Sequence, residues 1–207
     1  MREIRLLAAM AVLQLAGCAG MSQSECQLSD WRAVGYEDGS QGRAAEDFGK
    51  YRKRCAEHGV APDFQAYQAG REAGLKEYCQ EARGFQEGSQ GSSYAGVCPA
   101  DSEPRFLEGY NEGRTLYDLE SSLRYTNRQI RDDETRIKQI EIELTDNMTA
   151  AIADVTTREE RARLLVETRQ LAEERSTLAS EIKDLQAKRR TLEEQLAAAR
   201  AELVTQR

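Results

Sequence analysis

From Arg114 to Arg207 the chain contains neither glycine nor proline, and its aliphatic residues recur every seven positions. Leu116, Leu123, Ile130, Ile137 and Leu144 form one series, with Leu119 and Ile140 three residues after two of its members. Thr126 and Asp133 weaken the middle of that companion row. Leu164, Leu171, Leu178, Leu185 and Leu192 form a second series, joined by Ile182, Leu196 and Leu203. Heptads with charged outer positions belong to helices that bury one narrow stripe against another helix. Thr145-Asp146-Asn147 breaks the rhythm, and Thr157-Arg158-Glu159-Glu160 matches the box that caps a new helix. Pro104 and Phe106 place the first helix start near residue 104. The pattern predicts an antiparallel coiled-coil hairpin over residues 104–207, turning at about residues 146–157. A straight rod dimerising in parallel is the competing structure. Arg175 and Arg189 fall on a seam, which predicts loose packing there or arginines that snorkel outward.

The first half is a different material. All fifteen glycines lie at or before Gly113, all three prolines at or before Pro104, and eleven of thirteen aromatic residues between Trp31 and Tyr110. That shift marks a boundary between a cysteine-bearing module and the helical tail. Gly35-Tyr36-Glu37-Asp38-Gly39-Ser40-Gln41-Gly42 recurs as Gly84-Phe85-Gln86-Glu87-Gly88-Ser89-Gln90-Gly91. Tyr51 precedes Cys55 as Tyr94 precedes Cys98, and Tyr67-Gln68-Ala69-Gly70-Arg71 parallels Tyr110-Asn111-Glu112-Gly113-Arg114. Repetition in this order predicts an internal duplication within residues 26–117. The spacing puts small residues on one helical face. Each such glycine costs a helix about 1 kcal/mol relative to alanine, a loss that close approach of a neighbouring backbone would offset. Segments 44–55 and 63–79 read as helices, with Asp63 as N-cap and His58-Gly59 as a stop.

Residues 1–17 read as a signal peptide: Arg2 and Arg5, then an apolar run from Leu6 to Leu15 that is too short to span a bilayer. Leu15-Ala16-Gly17-Cys18 resembles a bacterial lipobox, which implies cleavage before Cys18, lipid on its sulfur and N-acylation. Ala19 resembles the residue that follows the lipidated cysteine in outer-membrane lipoproteins, given a Gram-negative cell. Residues 18–25 would then form a lipidated linker. Cys26, Cys55, Cys79 and Cys98 remain, an even number in an exported chain, and predict two disulfides. Pairing within copies, Cys26–Cys55 and Cys79–Cys98, is the simplest symmetric solution. Cys26–Cys98 with Cys55–Cys79 respects the symmetry too.

Asp30-Trp31, the Gly-Tyr-x-Asp-Gly run, Pro62-Asp63, Tyr67-x-x-Gly70-Arg71-x-x-Gly74-Leu75, Tyr78-Cys79 and Tyr94…Val97-Cys98-Pro99 resemble the lipoproteins grouped as domain of unknown function 2799. The resemblance covers about residues 24–117 and implies no activity, cofactor or catalytic residue.

Net charge of −7 argues against nucleic-acid binding, which needs a basic footprint. One histidine, His58, and no close cysteine pair give no metal site and no cofactor site. Ser180-Glu181-Ile182-Lys183 has the spacing of a penicillin-recognising motif but lies mid-heptad without a second motif. Asp132-Asp133-Glu134 and Glu173-Glu174 read as solvated helix faces. Arg71 and Arg114 occupy matching places in the two copies and are read as ion-pair partners of a local glutamate, with binding of an acidic group as the alternative. From residue 115 onward sixteen basic and nineteen acidic residues nearly balance, so anionic lipid is not the expected tail partner. The expectation is an all-α, non-enzymatic lipoprotein on the periplasmic face of the outer membrane. It would scaffold through coiled-coil contacts with an envelope protein, or self-associate. The alternative is a regulator of a peptidoglycan-remodelling enzyme, docked through the hairpin tip around Asn147–Thr157.

Overall fold

A computed structural model describes residues 21–205, and every regular element among them is helical. The expected signal peptide and Cys18 lie outside the described residues. The described chain forms two compact units: residues 21–87 with 92–110, and residues 88–91 with 111–205.

The first unit begins with α1 (Gln23–Leu28), opened by a capping box between Ser22 and Glu25. α2 (Trp31–Ser40) is capped by Asp30, whose carboxylate accepts from the Arg32 and Ala33 amides. A 3₁₀ turn (Ala45–Asp47) leads into α3 (Phe48–Ala56), which ends at Gly59 in the left-handed region, φ 70°. Asp63 caps α4 (Phe64–Tyr78) through the Ala66 amide. α5 (Glu81–Gln90) follows, and α6 (Glu103–Ile152) contributes its first turns to this unit.

Two helix pairs carry the fold, and both meet through glycine. A methyl group at Gly35 would overlap the Tyr67 carbonyl oxygen, and one at Gly70 would overlap that of Arg32. α2 and α4 therefore touch backbone to backbone, a separation that a β-carbon at these positions forbids. α5 meets α6 in the same way, through Gly84 against Phe106 and Gly109 against Glu81. Aromatic rings fill the remaining space. Trp31, Phe48 and Tyr67 pack with Cys26 and Cys55 in one cluster, and Tyr78 and Phe106 pack with Leu75, Cys79 and Cys98 in the other. The disulfides lie inside these clusters and join Cys26 to Cys55 and Cys79 to Cys98, each within one copy. Such cross-links compensate for a small core by restricting the unfolded chain.

The duplication is real in shape but its register differs from the motif match. Gly35 faces Tyr67 and Arg71, whereas Gly84 faces Phe106 and Tyr110; Gly42 covers the Tyr78 ring, and Gly91 covers that of Tyr117. Gly70 thus corresponds to Gly109, four residues before Gly113, and Arg71 to Tyr110 instead of Arg114. Glycines one helical turn apart on each helix offer two matches, and aromatic packing selects between them.

In the second unit α6 and α7 (Arg158–Thr205) form an antiparallel hairpin, closed by Glu120–Arg200 at 2.8 Å and Arg136–Glu174 at 2.7 Å. Ile130 and Ile140 on α6 and Leu171 and Leu196 on α7 are buried in its seam. The turn is shorter than the sequence suggests. α6 continues through Thr145-Asp146-Asn147 to Ile152 because none of the three breaks a helix: Thr145 donates back to the Glu141 carbonyl, and Asn147 takes a seam position. Thr157 then starts α7 by accepting from the Glu160 amide. Arg175 is exposed, so its guanidinium reaches outward from the seam, whereas Arg189 is half-buried with Glu193 at 3.7 Å and its Nε is buried without a hydrogen-bond partner.

Candidate functional site

The most unusual chemistry in the first unit is a buried carboxylate. Asp38 lies between Gly35 and Gly39 on α2, on the side facing α4, and is 3% exposed. A carboxylate removed from water needs partners for its charge. The Tyr67 hydroxyl donates to Oδ2 at 2.8 Å, the Tyr51 hydroxyl to Oδ1 at 3.2 Å, and the Arg43 guanidinium to Oδ1 at 3.2 Å. Burial, and then the bond to Asp38, hold the Tyr67 hydroxyl well above the usual phenol range; burial likewise raises Tyr51. Arg71 donates to the Arg43 carbonyl at 2.9 Å and so ties α4 to the chain leaving α2. The arrangement holds a negative charge still.

The second copy lacks this cluster. Phe106 stands where Tyr67 stands and has no hydroxyl, while Glu87, at the place of Asp38, pairs with Arg83 at 3.0 Å. Tyr94, the counterpart of Tyr51, donates to Glu103 at 2.9 Å and accepts from the Cys98 amide at 2.9 Å. Tyr110 takes the role of Arg71 by donating to the Ser92 carbonyl at 2.7 Å. One copy thus stores a carboxylate inside while the other uses the same scaffold for apolar stacking. A cleft of about 380 Å³ in this unit is lined by Glu72, Leu75, Lys76, Gln80, Pro99, Asp101 and Ser102, whose Oγ donates to the Pro99 carbonyl.

The second unit offers a surface instead of a pocket. Met148, Ile152, Val155, Leu165 and Val166 are exposed around the turn, with Ile152 82% and Val155 92% exposed. Met148 and Ile152 lie on the last turns of α6, Val155 in the connection, and Leu165 and Val166 on the first turns of α7. The seam is polar in places: far from the turn, Thr126 is fully buried and its hydroxyl has no partner.

The residues singled out in the sequence are dispersed. His58 pairs through Nε2 with the Met21 carbonyl at 3.1 Å. Arg114 pairs with Asp118 at 3.1 Å and donates to the Gly91 carbonyl. Ser180 is exposed on α7, and Glu174 belongs to the Arg136 ion pair. Among the described residues, no group of three His, Cys, Asp or Glu side chains could hold a metal ion, and no helix is long and apolar enough to cross a membrane. Asp38 escaped notice in the sequence. Its one signal is an aspartate inside a Gly-x-x-x-Gly helix face, where a charge has no access to water once the glycines pack.

Residues 30–115 match the model of a family described as Protein of unknown function (DUF2799). That match covers the residues whose motifs resemble the same family. No curated protein and no solved structure matches the chain.

Proposed function

We propose that this chain, built on a DUF2799 domain, is a lipid-anchored periplasmic scaffold of the outer membrane that works by helix-to-helix docking, without turnover. The reading is carried by the exposed apolar side chains at the hairpin turn, Met148, Ile152, Val155, Leu165 and Val166. Apolar groups gathered on a small surface favour removal from water, which a docking partner provides. The anchoring half rests on the Leu15-Ala16-Gly17-Cys18 box and on the even cysteine set, which suits an oxidising compartment. The buried Asp38 fits a structural part, since both its oxygens are occupied by Tyr51, Tyr67 and Arg43.

Photo-crosslinking in intact cells tests the docking. A photoreactive residue at Ile152 or Val155 should give discrete protein adducts, and one at Lys53 on α3 should not. Adducts of equal strength from all three positions, or from none, would contradict the reading. A cell-wall hydrolase as the main adduct would turn the scaffold into a regulator of that enzyme.

A further inference from the structure

The hairpin has two sides that differ, and the difference identifies one partner. Seam positions on α6 are Ile137, Ile140, Leu144, Asn147 and Ala151; on α7 they are Leu164, Thr168, Leu171 and Leu178. Residues following the seam on one side are Glu134, Lys138, Glu141, Thr145, Met148 and Ile152 on α6, with Arg158, Ala162, Leu165, Arg169 and Ala172 on α7. In an antiparallel pair these two strips lie on the same side of the hairpin, at the flanking positions of the heptad. Glu120 and Arg200, which bridge the arms, occupy those flanking positions nearer the open end. Arg136 and Glu174 bridge the opposite side.

Near the turn, the first side carries Met148, 64% exposed, and Leu165, 66% exposed, in place of a bridge between the arms. Past Lys138 the strip from α6 is acidic and apolar; the strip from α7 is basic and apolar. Between Gln139 and Thr157 the chain has Glu141, Glu143, Asp146 and Asp154 but no lysine or arginine, whereas the charged residues of the α7 strip are Arg158 and Arg169, with Glu159, Glu160 and Glu167 of that helix outside it. Such a face complements itself when rotated by half a turn about the hairpin's long axis, because that rotation lays α6 over α7 of the other copy. Counting from Arg136–Glu174, Glu141 stands level with Arg169, and Met148 within one turn of Leu165.

Resting on the scaffold reading, we infer that the partner of this face is a second copy of the chain. The two hairpins lie side by side and point the same way, as a four-helix bundle at the turn end. Met148 of each copy packs on Leu165 of the other, and Glu141 pairs with Arg169 across the interface. The same direction of both hairpins suits two chains held in one membrane.

The test uses the full lipidated chain in detergent. Sedimentation should give the mass of a dimer, and Leu165→Glu with Met148→Glu should halve it at unchanged helix content. Glu141→Arg should weaken the dimer, and adding Arg169→Glu to it should restore the dimer. Differently tagged Met148→Cys and Leu165→Cys chains, mixed and oxidised, should cross-link to each other and not to their own kind. A monomer at every concentration, or a dimer indifferent to these changes, overturns self-association through this face. If that monomer still gives a discrete adduct to another polypeptide from Ile152 in cells, the scaffold reading survives; without any adduct, both fail.

Discussion

Tyr67 donates its hydroxyl to the buried Asp38 across 29 positions of sequence, at 2.8 Å. The bond joins α4 to α2 beside the glycines that let the helices meet. Asp38→Ala removes the acceptor of two phenols and a guanidinium, and should cost about 3 kcal/mol or more, because buried donors lose both water and partner. Tyr67→Phe mimics Phe106 in the second copy and should cost only about 1–2 kcal/mol. Urea unfolding of the oxidised chain, followed by circular dichroism, measures both. Equal stability of Asp38→Ala and the parent chain would contradict a structural role for this carboxylate.

Glycine-to-alanine substitutions should separate by site. At Gly35 the new methyl group meets the Tyr67 carbonyl, and α2 must retreat from α4, with a loss of about 3 kcal/mol or more. At Gly49, inside α3, nothing lies within 4 Å, and alanine should gain about 0.5–1 kcal/mol from helix propensity. Melting temperatures of the two variants should therefore move in opposite directions.

How much of this was legible in the sequence depends on what each feature rests on. The helical arms, the Asp63 cap and the role of glycine at close approach follow from local spacing, because heptads and Gly-x-x-x-Gly faces are properties of a single helix. The register of the second copy was not legible. Gly109 and Gly113 are both glycines one turn apart, and only the burial of Phe106 between Tyr78 and Tyr94 distinguishes them. Asp38 stayed hidden for a similar reason, since its partners arrive from residues 43, 51 and 67. The turn was drawn too long because a polar run is compatible with a helix when no residue in it breaks one.

Alkaline titration should reveal the buried phenols. Burial and then the charge of Glu87 push Tyr78 up to about 12, and Tyr67 is raised further by burial and by Asp38. A tyrosine ionises near pH 10 in an unfolded chain. The fold favours the neutral form of these two, so their contribution to stability is complete below about pH 10 and is lost as pH rises through the folded values. Absorbance of phenolate should show some of the eight tyrosines ionising late, together with loss of helix. Ionisation of all eight below pH 11 with the helices intact would contradict their burial.

Thr126→Val should stabilise the hairpin. The Thr126 hydroxyl is buried in the seam without a partner, and valine keeps the shape while removing the unsatisfied group. The expected gain is about 1 kcal/mol, read as a later urea midpoint with unchanged slope. A loss of stability would mean that the hydroxyl has a partner.

Export and anchoring underlie the whole functional reading, and the mass of the mature chain tests them most directly. The chain is recovered from cell envelopes and alkylated without reduction before intact-mass measurement. The predicted mass begins at Cys18, includes its lipid and acyl groups, and carries no alkyl adduct on Cys26, Cys55, Cys79 or Cys98. A chain that retains Met1, or that takes up alkyl groups at those four cysteines, contradicts a lipid-anchored periplasmic protein.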